Sequence, residues 1–146
     1  MSLADWRRNG WVIEHQTSAG EIRELFAVVE RDLADSATEP LSADWRMNIA
    51  YDAALQAANA ALAAAGYRAS RDRHHFRIIQ SLRETIGAPA QLVTALDAFR
   101  KKRNITGYER VGVVSDQDAA EMRSMAIALR DDVRDWLRRN HPDLLA

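Results

Sequence analysis

Arg103 is the side chain best suited to chemistry in this sequence. It ends the series Leu92, Leu96, Phe99, Arg103, where a helical stripe expects an apolar group. A guanidinium turned inward is costly unless a carboxylate or a wet, anion-holding cleft receives it. Asn104 follows directly, Tyr108 and Glu109 lie just beyond, and Glu109, Asp44 and Asp52 are candidate partners. The plainer alternative is that Arg103 complements the dipole at a helix end and reaches into water. His75 poses a similar choice. It opens the series His75, Ile79, Leu82, Ile86, either as a proton-transfer group facing a cleft or as an ordinary histidine at the core's edge. His74 lies about 100° round the same helix, so the two do not chelate a metal as histidines four apart would. His15 and His141 stand in no metal-ligand spacing. The sequence has no HExxH, no glycine-rich phosphate loop and no GxSxG elbow. No metal or cofactor is expected, and the acids Asp131, Asp132 and Asp135 read as a solvated face.

The elements that must position these groups are helices. The 146 residues include few glycines and prolines, and apolar residues recur at helical spacing. Residues 1–17 read as an arm in which Trp6, Trp11, Val12 and Ile13 pack onto the body, and 18–146 as one domain. A first helix starts at Ser18, with Glu21 completing a capping-box pattern, and buries Ile22, Leu25, Phe26, Val29 and Leu33. A second runs from Ser42 to Ala65 and stops at Gly66. Its alanines admit a close neighbour, and Trp45, Ile49, Leu55 and Leu62 supply bulk. Asn48, Asp52, Gln56 and Asn59 form a polar line along it. A third helix runs from near Ser70 to Ile86, a fourth from Ala90 to Asn104, and residues 105–114 form a connection. A fifth starts at Ser115 and carries Met122, Met125, Leu129, Val133 and Trp136. The expected fold is an all-α antiparallel bundle of about five helices.

Net charge is −1, so the whole chain is no polycation built for nucleic acid. The charge is nevertheless uneven. Residues 1–65 hold five basic and ten acidic groups, 66–110 ten and four, and 111–146 five and seven. The basic middle block reads either as an anion-binding surface or as solvated helix faces. With no cysteine, disulfide scaffolds and thiolate chemistry are excluded. No apolar run reaches the roughly 18 residues of a membrane span, and no signal peptide is evident. A soluble, cytoplasmic protein that does not engage membranes is expected.

The segment Arg100-Lys101-Lys102-Arg103-Asn104-Ile105-Thr106-Gly107-Tyr108-Glu109 resembles the signature of HEPN domains (higher eukaryotes and prokaryotes nucleotide-binding). That signature is an Arg, usually followed by a polar residue, and then a His after four to six more. His75 ahead of Ile79 and Leu82 resembles the family's earlier helix. Ala43-Asp44-Trp45-Arg46-Met47-Asn48-Ile49-Ala50-Tyr51, running into an alanine-rich helix, resembles a bacterial subgroup. The resemblance covers roughly residues 18–139. Arg103 and Asn104 match the signature, whereas Tyr108, Glu109 and Arg110 occupy the three places for its His.

The resemblance implies a small helical bundle that forms a homodimer with the Arg103 regions of two subunits close together. It also implies a bacterial toxin–antitoxin or defence-type setting, with a minimal nucleotidyltransferase as a partner protein. In active relatives the Arg–His pair is implicated in metal-independent RNA cleavage, with Arg on phosphate charge and His in proton transfer. Tyr108 is a poor base near neutral pH because a phenol titrates near 10, which leaves His75 as the substitute. The favoured reading is a nucleotide-, RNA- or partner-binding domain, non-catalytic or weakly catalytic, using Arg103, Asn104, Tyr108, His75, Lys102 and Arg100. One alternative is a metal-independent endoribonuclease with a rearranged Arg103, His75, Tyr108 site. Another is a structural interaction module that presents the alanine-rich helix.

Overall fold

The computed structural model describes residues 1–106 and 114–145, with side chains described up to residue 103 and again from 114. Among them are six α-helices: α1 (Leu3–Arg8), α2 (Ala19–Asp35), α3 (Ala43–Ala64), α4 (His74–Ser81), α5 (Ala90–Thr106) and α6 (Asp116–Asn140). Strands β1 (Val12–Glu14) and β2 (Tyr67–Ala69) pair antiparallel, Val12 opposite Ala69, and a short 3₁₀ helix spans Pro142–Leu145. The chain is an all-α bundle with one small two-stranded sheet. No helix among the described residues is long and apolar enough to cross a membrane.

Serine starts four of the helices. Ser2, Ser18, Ser42 and Ser115 are extended N-caps whose hydroxyls accept the N–H three residues on, a contribution of about 1 kcal/mol each. At Ser115 the box is complete, because Asp118 returns its carboxylate to the Ser115 N–H. At Ser18 only half of the expected box forms. The Glu21 carboxylate instead takes the Thr17 hydroxyl at 2.6 Å and His15 Nε2 at 2.8 Å.

The centre of the bundle is α3. Alanine favours the helix, and a helix apolar on every side is stable only when covered on every side. Ala50, Ala53, Ala54, Ala57, Ala58, Ala60, Ala61, Ala63 and Ala64 are all buried, and α3 packs on α2, α4, α5, α6 and β2. Ile22, Phe26, Val29 and Leu33 of α2 and Met122, Leu129, Val133 and Leu137 of α6 supply the bulk that those alanines lack. The reading of this helix as a surface for other proteins is therefore corrected: its alanines are consumed inside the bundle. Trp45, expected as core bulk, is 61% exposed at its N-terminal turn.

Three further expectations change. The arm contains a sixth helix and a strand, and buries Trp6 and Val12 completely enough to make them core; Ile13 alternates outward, as a strand dictates. The third predicted helix is shorter at both ends. Gly66, at φ +98°, ends α3 as expected and turns the chain into β2, so α4 begins only at His74. It stops at Ser81, whose hydroxyl donates back to the Ile78 carbonyl at 2.6 Å. Residues 82–86 continue as turns that still bury Leu82.

One acid lies inside. Asp32 on α2 is only 5% exposed, and Arg31 reaches just one of its oxygens, Oδ1, at 3.1 and 3.3 Å. Its Oδ2 is buried and accepts no hydrogen bond from an N–H or hydroxyl group among the described residues. Burial, and then a hydrogen bond with the Asp52 carboxyl of α3, push the Asp32 pKa up to about 6, against the weaker pull of Arg31. Two carboxyls bond to each other only while one keeps a proton. The folded pKa lies above the unfolded value of 3.8, so this proton's contribution is complete below pH 3.8 and is lost as pH rises through 6. The variant Asp32→Asn removes that dependence. Urea unfolding at pH 5 and pH 7.5 is expected to show Asn gaining about 1–3 kcal/mol relative to Asp at the higher pH.

Candidate anion-binding site at the start of α4

Sequence spacing leaves open whether Arg103 and His75 meet. The structure brings both to Tyr51. The register Leu96, Phe99, Arg103 holds: Leu96 and Phe99 are buried, and the next turn of α5 lays the Arg103 guanidinium over the Tyr51 ring at 5.5 Å. Arg103 does not simply reach into water from the helix end; it is half-buried and its Nε is enclosed. On α4, Ile79 and Leu82 are core, and His75 at the head of that stripe sits 6.1 Å from the same tyrosine ring. Tyr51, 1% exposed, is the platform between them. Its hydroxyl is buried and makes no hydrogen bond among the described residues, and burial keeps it protonated far above the ordinary phenol range.

The surroundings are cationic. Arg100, one turn before Arg103, donates from Nε to Asp97 at 2.7 Å, and Lys101 adds a 3.5 Å contact to the same acid. Burial pushes the Asp97 pKa up, but these cations outweigh it and hold it below the usual carboxylate range. His75 is depressed first by its own burial, then by the Arg103 charge and by His74. It is therefore a neutral imidazole near pH 7. His74 is exposed, and its Nδ1 donates to the Ser70 carbonyl at 3.0 Å, which leaves Nε2 available.

The helix terminus adds to this charge. Helices α1, α2, α3 and α6 each pair a serine cap with an acid in the first turn. Helix α4 has neither. Its cap is Arg73, in the left-handed region at φ +53°, with no side-chain cap. The positive end of the helix dipole thus meets Arg73, His74 and His75, an arrangement an anion would relieve. Arg73, His74, His75, Phe76 and Arg100 line a pocket of about 290 Å³ at this point. A roomier cleft of about 360 Å³ lies between α2 and the C-terminal 3₁₀ helix. It is a weaker candidate, because its walls are mostly apolar and its Arg134 is already held by Glu30 at 3.2 Å and stacked over Phe26.

The other expected site residues divide. Lys102 turns away and bonds Asp118 of α6 at 2.9 Å, so it braces α5 against α6 and is no ligand group at this pocket. Asn104 falls in α5, but its side chain lies outside the described residues, as do Tyr108, Glu109 and Arg110. Sequence reasoning overlooked Tyr51, Phe76 and Arg73 as site residues. The signal for the last two was local: aromatic and basic residues alternate in Arg73-His74-His75-Phe76-Arg77. Tyr51 had only a weak one, a large polar-tipped ring in an otherwise alanine-rich helix. No family model matches the chain, and no curated protein matches it.

The geometry makes a direct electrostatic prediction. Replacing Arg103 by Gln removes the second-largest influence depressing His75, so the His75 pKa should rise toward its ordinary value. Titration of the imidazole Hε1 resonances by NMR checks this, with His15 and His141 as internal references. An unmoved His75 would show that the two groups do not share a site.

Proposed function

We propose that this chain is a HEPN-like helical domain that binds a phosphate-bearing ligand, nucleotide or RNA, at the α4–α5 face. The observation that carries the reading is the convergence of Arg103 and His75 on one buried ring, Tyr51, with His75 also lining the pocket of Arg73, His74, Phe76 and Arg100. A guanidinium offers forked donors matched to phosphate oxygens, and the uncapped end of α4 adds backbone N–H groups. By the same resemblance the domain works as a homodimer in a bacterial toxin–antitoxin or defence-type system, in the cytoplasm, with a minimal nucleotidyltransferase as partner protein.

A second reading has its own support. His75 is a neutral base within electrostatic reach of Arg103, which is the pairing a metal-independent ribonuclease needs: the imidazole accepts the 2′-hydroxyl proton while Arg103 and Arg100 hold the phosphate. The binding reading is preferred because none of Tyr108, Glu109 and Arg110 replaces the histidine of the family signature.

The test is RNA cleavage by purified protein with EDTA throughout, wild type beside Arg103→Ala and His75→Ala, together with retention of labelled RNA on the protein. The expected result is binding that Arg103→Ala weakens about tenfold, the loss of one charge-assisted contact, with no cleavage by any form. Cleavage lost in both variants would establish the ribonuclease reading instead. Binding unchanged in Arg103→Ala would remove the site altogether.

A further inference from the structure

The basic face continues past the Arg103 cluster as a ladder of alternating rings and guanidinium groups. Trp11, from the arm, stacks edge-on against Trp6 with ring centroids 5.7 Å apart, and the Arg77 guanidinium lies 4.1 Å over the Trp11 ring. Arg77 is also 5.6 Å from Phe76, whose ring carries Arg73 at 4.0 Å and Arg100 at 5.6 Å. Three guanidinium groups thus gather round one phenyl ring. Of these, Arg100 has a carboxylate partner, Asp97, whereas Arg73 and Arg77 form no salt bridge among the described residues. Phe76 is shared by two recesses. One is the pocket at the start of α4; the other, about 280 Å³, has Trp6, Trp11, Phe76, Arg77 and Arg83 in its walls, with one acid, Glu84, among them.

We infer that this ladder is a track for a single-stranded polynucleotide, running from the Arg103 cluster over Phe76 to the recess beside Trp11. The inference rests on the proposed function for its first phosphate and adds a second, separate site for the neighbouring nucleotide. Aromatic rings interleaved with arginines are what single strands use: bases stack on rings or on guanidinium planes, and the charges follow the backbone. An acidic peptide would satisfy the charges but has no flat face for Phe76 and Trp11. A duplex hides its bases from both recesses. One phosphate fills one pocket, whereas two recesses that share a wall suit a ligand with at least two repeats.

The test uses the full chain and fluorescence anisotropy with labelled oligo(dT) and 2′-O-methyl oligo(U) of two, four and eight nucleotides, which lack the free 2′-hydroxyl that cleavage would need. Affinity should rise with length. Phe76→Leu, which keeps apolar bulk but loses the ring, should lose about tenfold on the longer strands, within the range for one stacked base. Arg77→Gln should lower the slope of log affinity against log salt by about 0.7, one phosphate contact. Thermal melts verify that both variants fold, and Arg77→Gln, a surface change, carries the test where Phe76→Leu does not fold. Equal binding of the two chemistries, or a preference for either, supports the track, and a preference assigns RNA or DNA as its source. Binding that depends on Arg103 but is indifferent to Phe76, Arg77 and length would overturn the track and leave the proposed function standing. Length-dependent binding lost in Arg77→Gln but kept in Arg103→Ala would do the reverse. Poly-glutamate bound as tightly, with the same sensitivity to both variants, would overturn it in favour of an acidic protein partner, and no binding of any strand at low salt would overturn it outright.

Discussion

Close packing against the alanines of α3 is the constraint on which the rest of this molecule depends. A helix whose buried positions are mostly alanine presents a thin cylinder, so α2 and α6 must come close and supply the large side chains themselves. That closeness makes the few large residues of α3 decisive. Met47 and Tyr51 lie one turn apart and are almost wholly buried. Tyr51 is where the hydrocarbon core gives way to the charged face, and both α4 and α5 are registered against it. Shifting α5 by one residue would carry Arg103 about 100° away from the ring and expose Leu96 and Phe99. The same burial that stabilises the bundle thus fixes the guanidinium over the tyrosine.

Charge is sorted by the same frame. The arginines of the acidic parts of the chain are largely spoken for: Arg130 and Arg134 meet Glu30, Arg46 meets Asp116, and Arg31 meets Asp32. Apart from Arg31–Asp32, whose carboxylate is buried, these pairs lie at the surface and contribute little each, but every one of them sets opposite charges side by side. At the start of α4 the outcome is different. Arg73 and Arg77 rest on rings, His75 is kept neutral by burial and by Arg103, and the helix end brings no acid of its own. Cation–π contacts hold a guanidinium in place without cancelling its charge. The field on this face is therefore positive although the protein as a whole carries a net charge of −1.

Much of this was legible in the residues. Serine caps, the Gly66 stop and the stripe from Leu92 to Arg103 all encode local geometry, and local geometry is what periodicity reports. What was hidden is tertiary. Nothing in the spacing of residues 1–17 says that Val12 will pair with Ala69, because strand pairing over such a separation depends on the whole fold. Nor does the pattern of the alanine-rich helix say whether it is central or a surface, since both need small residues. Its exposed Trp45 shows that size alone does not place a side chain. His75 and Arg103 were recognised one at a time, each as the odd member of an apolar stripe. Their meeting is a property of Tyr51, on a third helix, and no single stripe contains it.

The two readings of this site make opposite demands on one imidazole. An anion seated against Arg73, Arg100 and the end of α4 offsets the charges that, with burial, keep His75 neutral. Binding therefore draws the His75 pKa upward, and by linkage a proton on His75 tightens the ligand. A site used only for binding holds its ligand better as His75 gains that proton. A site that cleaves RNA needs the free base at the moment the 2′-hydroxyl proton leaves; a bound phosphate lowers the fraction of free base but also strengthens that base, a balance set by how fully the negative charge is met elsewhere. Arg103 and Arg100 are the groups placed to meet it, but Arg100 is already shared with Asp97. On the binding reading, an Arg100 shared with Asp97 and a histidine that gains a proton with its ligand suit this pocket to holding a phosphate.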